Sequence, residues 1–233
     1  MLASRALPLC RHAGTPGFTA TDLLVALAVV TLVATVVAAP VVRAKQQARL
    51  AQCTANLGQL SRAVLSFCGD HAQTLPAGQA TPGRDLWFWY KEDVKGYAGL
   101  TGASSPADTL FACPDDRGYA DARPFHHNPR FDYNSYVFNG VTLPGVPHIA
   151  GWQLAAVRAP ARTLLVMEWT AHAPLSWHKS KTGRQNAPFY SDAQSVVGFV
   201  DGHVGLVRIY YDGYNAAYTR DPIDGYDYKY SGD

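Results

Sequence analysis

The chain has 233 residues, of which 48% are apolar and 16% are charged, with 20 basic and 18 acidic side chains. This apolar content excludes an intrinsically disordered polymer, and the near-balanced charge excludes the basic surface typical of a nucleic-acid-binding protein. The 4 cysteines are too few for a disulfide-dense scaffold, so the length predicts one or two domains with a sizeable core.

The N-terminal part of the chain differs in composition from the rest. A leader at 1–17 contains arginines, and the segment 18–42 is almost continuously apolar, with Asp22 as its one charged residue. As a helix, this segment is long enough to cross a bilayer.

Three interpretations of this segment compete: a cleaved secretory signal, a plain membrane anchor, and a segment that is both anchor and assembly helix. Pro40 follows the small residues at which a signal peptidase would cut, which argues against secretion. A plain anchor gives no use for the carboxylate of Asp22.

The run GFTATDLLVALAVV, which begins at Gly17, resembles the N-terminus of type IV prepilins and type II secretion pseudopilins. In that family a prepilin peptidase cuts after the glycine on the cytoplasmic side and methylates the new N-terminus. The resemblance implies cleavage after Gly17, methylation of Phe18, and an assembly role for Asp22 at the position of the family's glutamate. In a filament, the N-terminal amine of a neighbouring subunit would compensate this carboxylate and fix the axial register. The alternative is that Asp22 only caps the helix start.

Beyond the apolar segment, the spacing of apolar positions is that of an amphipathic helix that ends near Gly69. The apolar stripe consists of Leu50, Cys53, Leu57, Leu60, Val64 and Phe67. The sequence therefore divides into a leader (1–17), a hydrophobic transmembrane and assembly helix (18–42), its amphipathic continuation (43–68) and a globular extracytoplasmic head (69–233).

Later segments resemble a group of bacterial pseudopilin-like proteins labelled by a histidine, nine residues and Asp-Gly. These segments are CTANLGQLSRAVLSFCGDHAQTLP from Cys53, FACPDD from Phe111, SYVFNG from Ser135 and GFVDGHV from Gly198. The Asp-Gly pair of that label is present here, but Ser191 occupies the position of its histidine.

The head is predicted to contain an antiparallel sheet, because the runs 163–169, 195–200 and 203–211 are rich in β-formers. Asp201 and Gly202 between the last two runs favour a hairpin turn, which explains Asp201 and His203 better than a catalytic or ligand-binding role does. The expected fold class is α+β and pilin-like, with a long N-terminal helix packed on an antiparallel β-sheet head.

Two metal hypotheses arise in the head, and neither gives a confident site. One hypothesis is zinc, because a carboxylate and two imidazoles lie within eleven residues, at Glu168, His172 and His178. Their spacing matches no compact motif, and two further ligands must come from elsewhere in the chain. Major secretion pseudopilins hold calcium in a C-terminal loop, and the tail of this chain offers hard oxygen ligands at Asp221, Asp224 and Asp227. Asp and Gly equally form solvated turns, so calcium remains an alternative.

Three cysteines, Cys53, Cys68 and Cys113, lie outside the leader, in what should be an oxidising compartment. Cys53 and Cys68 would be about 22 Å apart on one helix, too far to bond. A disulfide must therefore include Cys113. We predict Cys68 as its partner because Cys53 lies on the buried stripe; three free thiols are the alternative.

These features predict a non-enzymatic pseudopilin-like subunit of a type II secretion pseudopilus or type IV pilus-like filament. Its expected partners are a prepilin peptidase, other pilin or pseudopilin subunits and the bacterial inner membrane, crossed once with the head in the periplasm or an extracellular filament. One alternative is a membrane-tethered extracytoplasmic carbohydrate- or ligand-binding protein, in which LWFWY at 86–90 offers aromatic faces to a sugar. A secreted hydrolase is another, although G-x-S-x-G, P-loop and dinucleotide motifs are absent from the sequence.

Overall fold

A computed structural model of the chain describes residues 17–78, 86–119, 123–172, 175–178, 193–210 and 220–233. The helices are α1 (Ala20–Asp70) and α2 (Tyr90–Val94), and the strands are β1 (Tyr136–Phe138), β2 (Leu164–Glu168), β3 (Gln194–Phe199) and β4 (Val204–Arg208). Short 3-10 helices occupy Lys95–Ala98, Thr109–Phe111, Phe125–His127, Pro129–Phe131, Leu154–Ala156 and Trp169–His172. The chain divides into two compact units, Met1–Lys45 and Gln46–Asp233.

In the first unit, the apolar part of α1 is exposed at every described residue. Two hydroxyl groups in this stretch return to the backbone of the helix, since Thr31 Oγ1 donates to the carbonyl of Leu27 at 2.9 Å and Thr35 Oγ1 to that of Leu32 at 2.8 Å. Such bonds satisfy the hydroxyl where no water is available. The helix is long and apolar enough to cross a membrane.

Three hydrogen bonds between Thr19 and Asp22 cap the N-terminus of α1. The backbone N–H of Asp22 donates to Thr19 Oγ1 at 3.2 Å, and the backbone N–H and hydroxyl of Thr19 donate to Asp22 Oδ2 at 2.9 and 2.7 Å. This is the capping-box arrangement, with aspartate in the place of the usual glutamate. The capping role considered for Asp22 is therefore present, with Thr19 as its partner.

In the second unit, α1 packs into the core through the predicted apolar stripe. Cys53, Leu57, Leu60 and Val64 are fully buried, and Leu50 and Phe67 are partly buried against the same core. Asn56 is a polar exception on this face. Its Nδ2 donates to the carbonyls of Thr109 and Ala112 at 3.2 and 2.9 Å, so the amide fastens the helix to the loop that carries Cys113.

The strands form a 4-stranded antiparallel sheet in the order β1-β2-β3-β4. Strands β2 and β4 lie within the predicted runs and β3 begins one residue before its run, so the α+β layout is confirmed, whereas β1 was not predicted. Residues 200–203 connect β3 to β4, and Gly202 has a φ of +91°, which glycine adopts without strain. Asp201 Oδ1 lies 2.6 Å from His203 Nδ1, and the His203 ring stacks on Phe199. Both side chains thus contribute to the predicted turn.

Helix α1 approaches the sheet closely at Gly198. A Cβ atom at this position would collide with the hydroxyl of Ser61 and lie 3.3 Å from the carbonyl oxygen of Val166. Ser61 Oγ is buried and has no hydrogen-bond partner among the described residues. The absence of a side chain at Gly198 therefore sets the distance between α1 and β3.

We predict that Gly198→Ala lowers the free energy of unfolding by about 1 to 3 kcal/mol, since overpacking a close contact has this cost. Ser61→Ala removes the colliding oxygen, so the double variant should recover most of the loss. Gly205→Ala is the matched control, because its added methyl group would meet Phe199 and Val207 at the ordinary distances of 3.8 and 3.9 Å. Denaturant unfolding followed by tryptophan fluorescence measures each value. Equal losses in Gly198→Ala and the double variant would contradict the proposed contact.

Candidate functional site

A disulfide joins Cys53 on α1 to Cys113 in the loop after the 3-10 helix Thr109–Phe111, with their Cα atoms 5.0 Å apart. The predicted pairing of Cys68 with Cys113 is therefore wrong: Cys68 is a free, buried thiol. It lies four turns further along α1, about 22 Å beyond Cys53. Burial of Cys53 did not argue against a bond, because Cys113 is equally buried.

The loop that carries Cys113 is held in place by hydrogen bonds from the SYVFNG segment. Ser135 Oγ accepts from the backbone N–H of Cys113 at 3.0 Å and donates to Asp116 Oδ2 at 2.7 Å, and the backbone N–H of Ser135 donates to the carbonyl of Phe111 at 2.8 Å. Asp116 in turn accepts the backbone N–H of Gly118 at 2.8 Å. Hydrogen bonds thus join the FACPDD and SYVFNG segments around Cys113.

Glu168, at the end of β2, is fully buried beside the disulfide. Its Oε2 accepts the backbone N–H of Val196 on the neighbouring strand at 2.8 Å. The other oxygen, Oε1, lies 2.6 Å from His178 Nε2 and 3.3 Å from Cys113 Sγ. A carboxylate in such a position requires a charged partner, because burying an unpaired charge is costly.

His178 supplies that partner and links Glu168 to a second carboxylate. Its Nδ1 lies 3.1 Å from Asp115 Oδ2, and Arg49 Nη1 lies 3.2 Å from Asp115 Oδ1. Burial of the imidazole opposes its ionisation, but the charges and hydrogen bonds of Glu168 and Asp115 outweigh this effect and raise the pKa of His178 to about 9. For Asp115, burial likewise favours the neutral form, yet His178 and Arg49 lower its pKa. The site is an alternating row of charges from Arg49 to Glu168.

A cavity of about 450 Å³ opens beside this row of charges. Its lining includes Arg49, Asp115, Trp177 and His178, whereas the sulfurs of the disulfide and Glu168 lie deeper. His178 and Asp115 therefore lie between the cavity and the buried cluster formed by Cys53, Cys113 and Glu168. Within the described residues, the cavity reaches the edge of the site at His178 and Asp115.

Two of the three residues in the zinc hypothesis meet in this cluster, and the third does not. Glu168 and His178 are in contact. His172 is buried elsewhere, where its ring centroid lies 4.2 Å from that of Trp87. This burial lowers the pKa of His172 to about 3. Cys53 and Cys113, from distant parts of the chain, lie beside Glu168 and His178, and one potential ligand atom of each of the four residues is within 4.8 Å of the others. Neither the role of Asp115 nor that of Arg49 was predicted, although the acidic pair after Cys113 was visible in FACPDD.

The other predicted site residues lie outside this cluster. Both oxygens of Asp221 accept backbone N–H groups, from Tyr230 and Ser231 at 2.9 Å each, which gives this residue a structural role. Asp224 and Asp227 are exposed, and calcium binding by the tail stays a prediction. Phe88, Trp89 and Tyr90 of the aromatic run are buried in the core, so only Trp87 retains a partly exposed ring. Ser191 is outside the described residues.

Comparison of the chain with profiles of known protein families, with curated proteins and with solved structures gave no match.

Disulfide mapping tests the corrected pairing. Proteolysis without reductant should release one cross-linked peptide pair that contains Cys53 and Cys113, while Cys68 reacts with an alkylating agent only after unfolding. Because the bond closes a loop with a sequence separation of 60 residues, its loss in Cys113→Ser should lower the free energy of unfolding by about 4 kcal/mol. Cys68→Ser, the matched control, should keep the bond and most of the stability. A peptide pair containing Cys68 would contradict the structure.

The row of charges predicts a pH dependence for the disulfide-bonded protein. An imidazole whose pKa is raised to about 9 on folding contributes stability that is fully present below pH ~6.5, its unfolded value, and is lost as pH rises through 9. The loss should be on the order of 3 kcal/mol at most and should disappear in His178→Gln. Unfolding measured from pH 6 to pH 9.5, in steps of about half a unit, tests this. A difference between the two proteins that is constant over this range would contradict the charged imidazole.

Proposed function

We propose that the chain is a non-enzymatic, pseudopilin-like structural subunit of a type II secretion pseudopilus or type IV pilus-like filament. In this proposal a prepilin peptidase cleaves after Gly17 and methylates Phe18. The helix then anchors the subunit in the bacterial inner membrane before assembly, with the head on the periplasmic side. Its partners are other pilin or pseudopilin subunits.

The observation that carries the proposal is the exposed apolar half of α1 together with its start. The helix begins at Ala20, directly after the Gly17-Phe18-Thr19 run, and the described side chains from 17 to 45 are exposed. An apolar surface of this length is stable in a membrane or against other helices, and not in water. A plain anchor accounts for that surface, but the resemblance at Gly17, Phe18 and Asp22 favours a helix that also assembles.

The head supports a structural role rather than a sugar-binding one. The aromatic run that was the basis of the carbohydrate alternative contributes Phe88, Trp89 and Tyr90 to the core, where Trp89 and Tyr90 contact Phe138 with ring centroids 5.7 and 5.9 Å apart. These faces are occupied by protein. A well-packed head with a disulfide between Cys53 and Cys113 suits a subunit that must keep its structure during assembly.

The N-terminal mass tests the processing step. When the full chain is produced together with a prepilin peptidase, its intact mass should fall by residues 1–17 and rise by one methyl group on Phe18. Gly17→Leu, which places a large side chain at the scissile bond, should retain the leader. An intact leader in the unmodified chain, or a new N-terminus near residue 40, would contradict the proposal.

Asp22 offers a test of assembly that separates its two roles. Asp22→Ala removes the carboxylate and the two hydrogen bonds that it accepts from Thr19, whereas Thr19→Val removes the hydroxyl of the cap and leaves the carboxylate. Each should cost the helix start about 1 kcal/mol, but only Asp22→Ala should abolish cross-linking between copies in the membrane. Asp22→Glu should restore it. Equal cross-linking in Asp22→Ala and Thr19→Val would reduce Asp22 to a helix cap.

A further inference from the structure

We propose that Cys53, Cys113, Glu168 and His178 form a zinc site when the disulfide is reduced, so that this part of the head has an oxidised state and a metal-bound state. One ligand atom from each residue lies within 4.8 Å of the others. Two thiolates, one imidazole and one carboxylate are ligands that zinc accepts in tetrahedral sites. This inference does not depend on filament assembly.

The ligand atoms lie close together, with Glu168 Oε1 and His178 Nε2 hydrogen-bonded to each other at 2.6 Å. Glu168 Oε1 and His178 Nε2 lie 3.3 and 3.7 Å from Cys113 Sγ, close to the spacing between ligands around one ion. The remaining polar atoms of both side chains are held from behind, by the backbone N–H of Val196 at 2.8 Å and by Asp115 at 3.1 Å. A histidine whose second nitrogen bonds to a carboxylate is the usual outer-shell arrangement of a zinc ligand.

A disulfide alone does not explain why Glu168 and His178 are packed beside it. The bond is uncharged and is stable among apolar side chains, yet here it is packed against a fully buried carboxylate and an imidazole. Burying such a pair costs desolvation energy that an apolar substitute would avoid. A divalent cation bound by two thiolates gives both polar groups a direct ligand role.

The conversion balances with a dithiol as the reductant. The dithiol gives two electrons and its two thiol protons to the Cys53–Cys113 bond, becomes a disulfide itself, and leaves one thiol on each cysteine. Zinc then displaces both thiol protons and the proton on His178 Nε2, which pass to water, and forms bonds to two sulfurs, one nitrogen and Glu168 Oε1. Zn–S bonds of about 2.3 Å place the sulfurs roughly 3.8 Å apart, so they separate by side-chain rotation after the bond breaks. Among the described residues, the cavity beside His178 is the space nearest to the ligands from which the ion would enter.

Metal titration of the full chain in detergent tests the proposal. A phosphine reductant cleaves the disulfide as it takes up oxygen from water to become the phosphine oxide, and it leaves two thiols. Zn²⁺ should then bind in a 1:1 ratio to the reduced chain and leave the oxidised chain unoccupied at the same concentration. Co²⁺ in place of zinc should show thiolate charge-transfer absorption and the visible bands of a tetrahedral ion.

Matched variants assign the ligands. His178→Ala and Asp115→Asn should weaken zinc binding by about 10- to 100-fold, the first through a ligand and the second through its orientation. Cys68→Ser removes a buried thiol outside the cluster and should bind zinc as the unmodified chain does. If the reduced chain loses its fold, zinc should restore it. Zinc uptake that is equal in oxidised and reduced chains, absent from the reduced chain or lost in Cys68→Ser would overturn the proposal, as would a reduced chain that zinc fails to refold.

Discussion

Residues 20–70 form one hydrogen-bonded helix, whose apolar segment ends at residue 42 and whose residues from Gln46 onward belong to the second compact unit. The side chains from 20 to 42 are mostly apolar and all exposed, so their cover must come from a membrane or from other chains. From Leu50 onward, one stripe of the same helix enters the core of the head. The proposed function depends on this division, because anchoring and assembly use the first part without altering the packing of the second.

The head is organised around the attachment of α1 to the loop at Cys113. The disulfide fixes that loop, and the hydrogen bonds of Asn56 to Thr109 and Ala112 hold it from the same helix face. Asp115 is thereby placed opposite His178, and His178 opposite Glu168 on β2. One covalent constraint thus positions a row of charges, exposed at Arg49 and buried at Glu168, that contributes stability in the oxidised state and offers a ligand set in the reduced state.

Periodicity in the sequence predicted the features that depend on local pattern. The apolar stripe of α1, three of the four strands and the turn at Asp201 follow from spacing and residue type alone. The cluster could not be predicted in this way, because its members lie far apart in the chain and meet only through the fold. The cysteine pairing failed for the same reason: burial was common to Cys53, Cys68 and Cys113, and only the position of the Cys113 loop along α1 distinguishes the two partners.

The most direct test of the central claim, that one helix serves two surroundings, is residue-specific quenching in lipid vesicles. A single fluorescent amino acid would replace Val29 or Val33 in the first part of the helix, or Ala55 or Gln59 in the second, all of which are exposed. We predict quenching by brominated lipid tails at positions 29 and 33, and by iodide in the water at positions 55 and 59. Iodide quenching at positions 29 and 33, without quenching by the lipid, would contradict it.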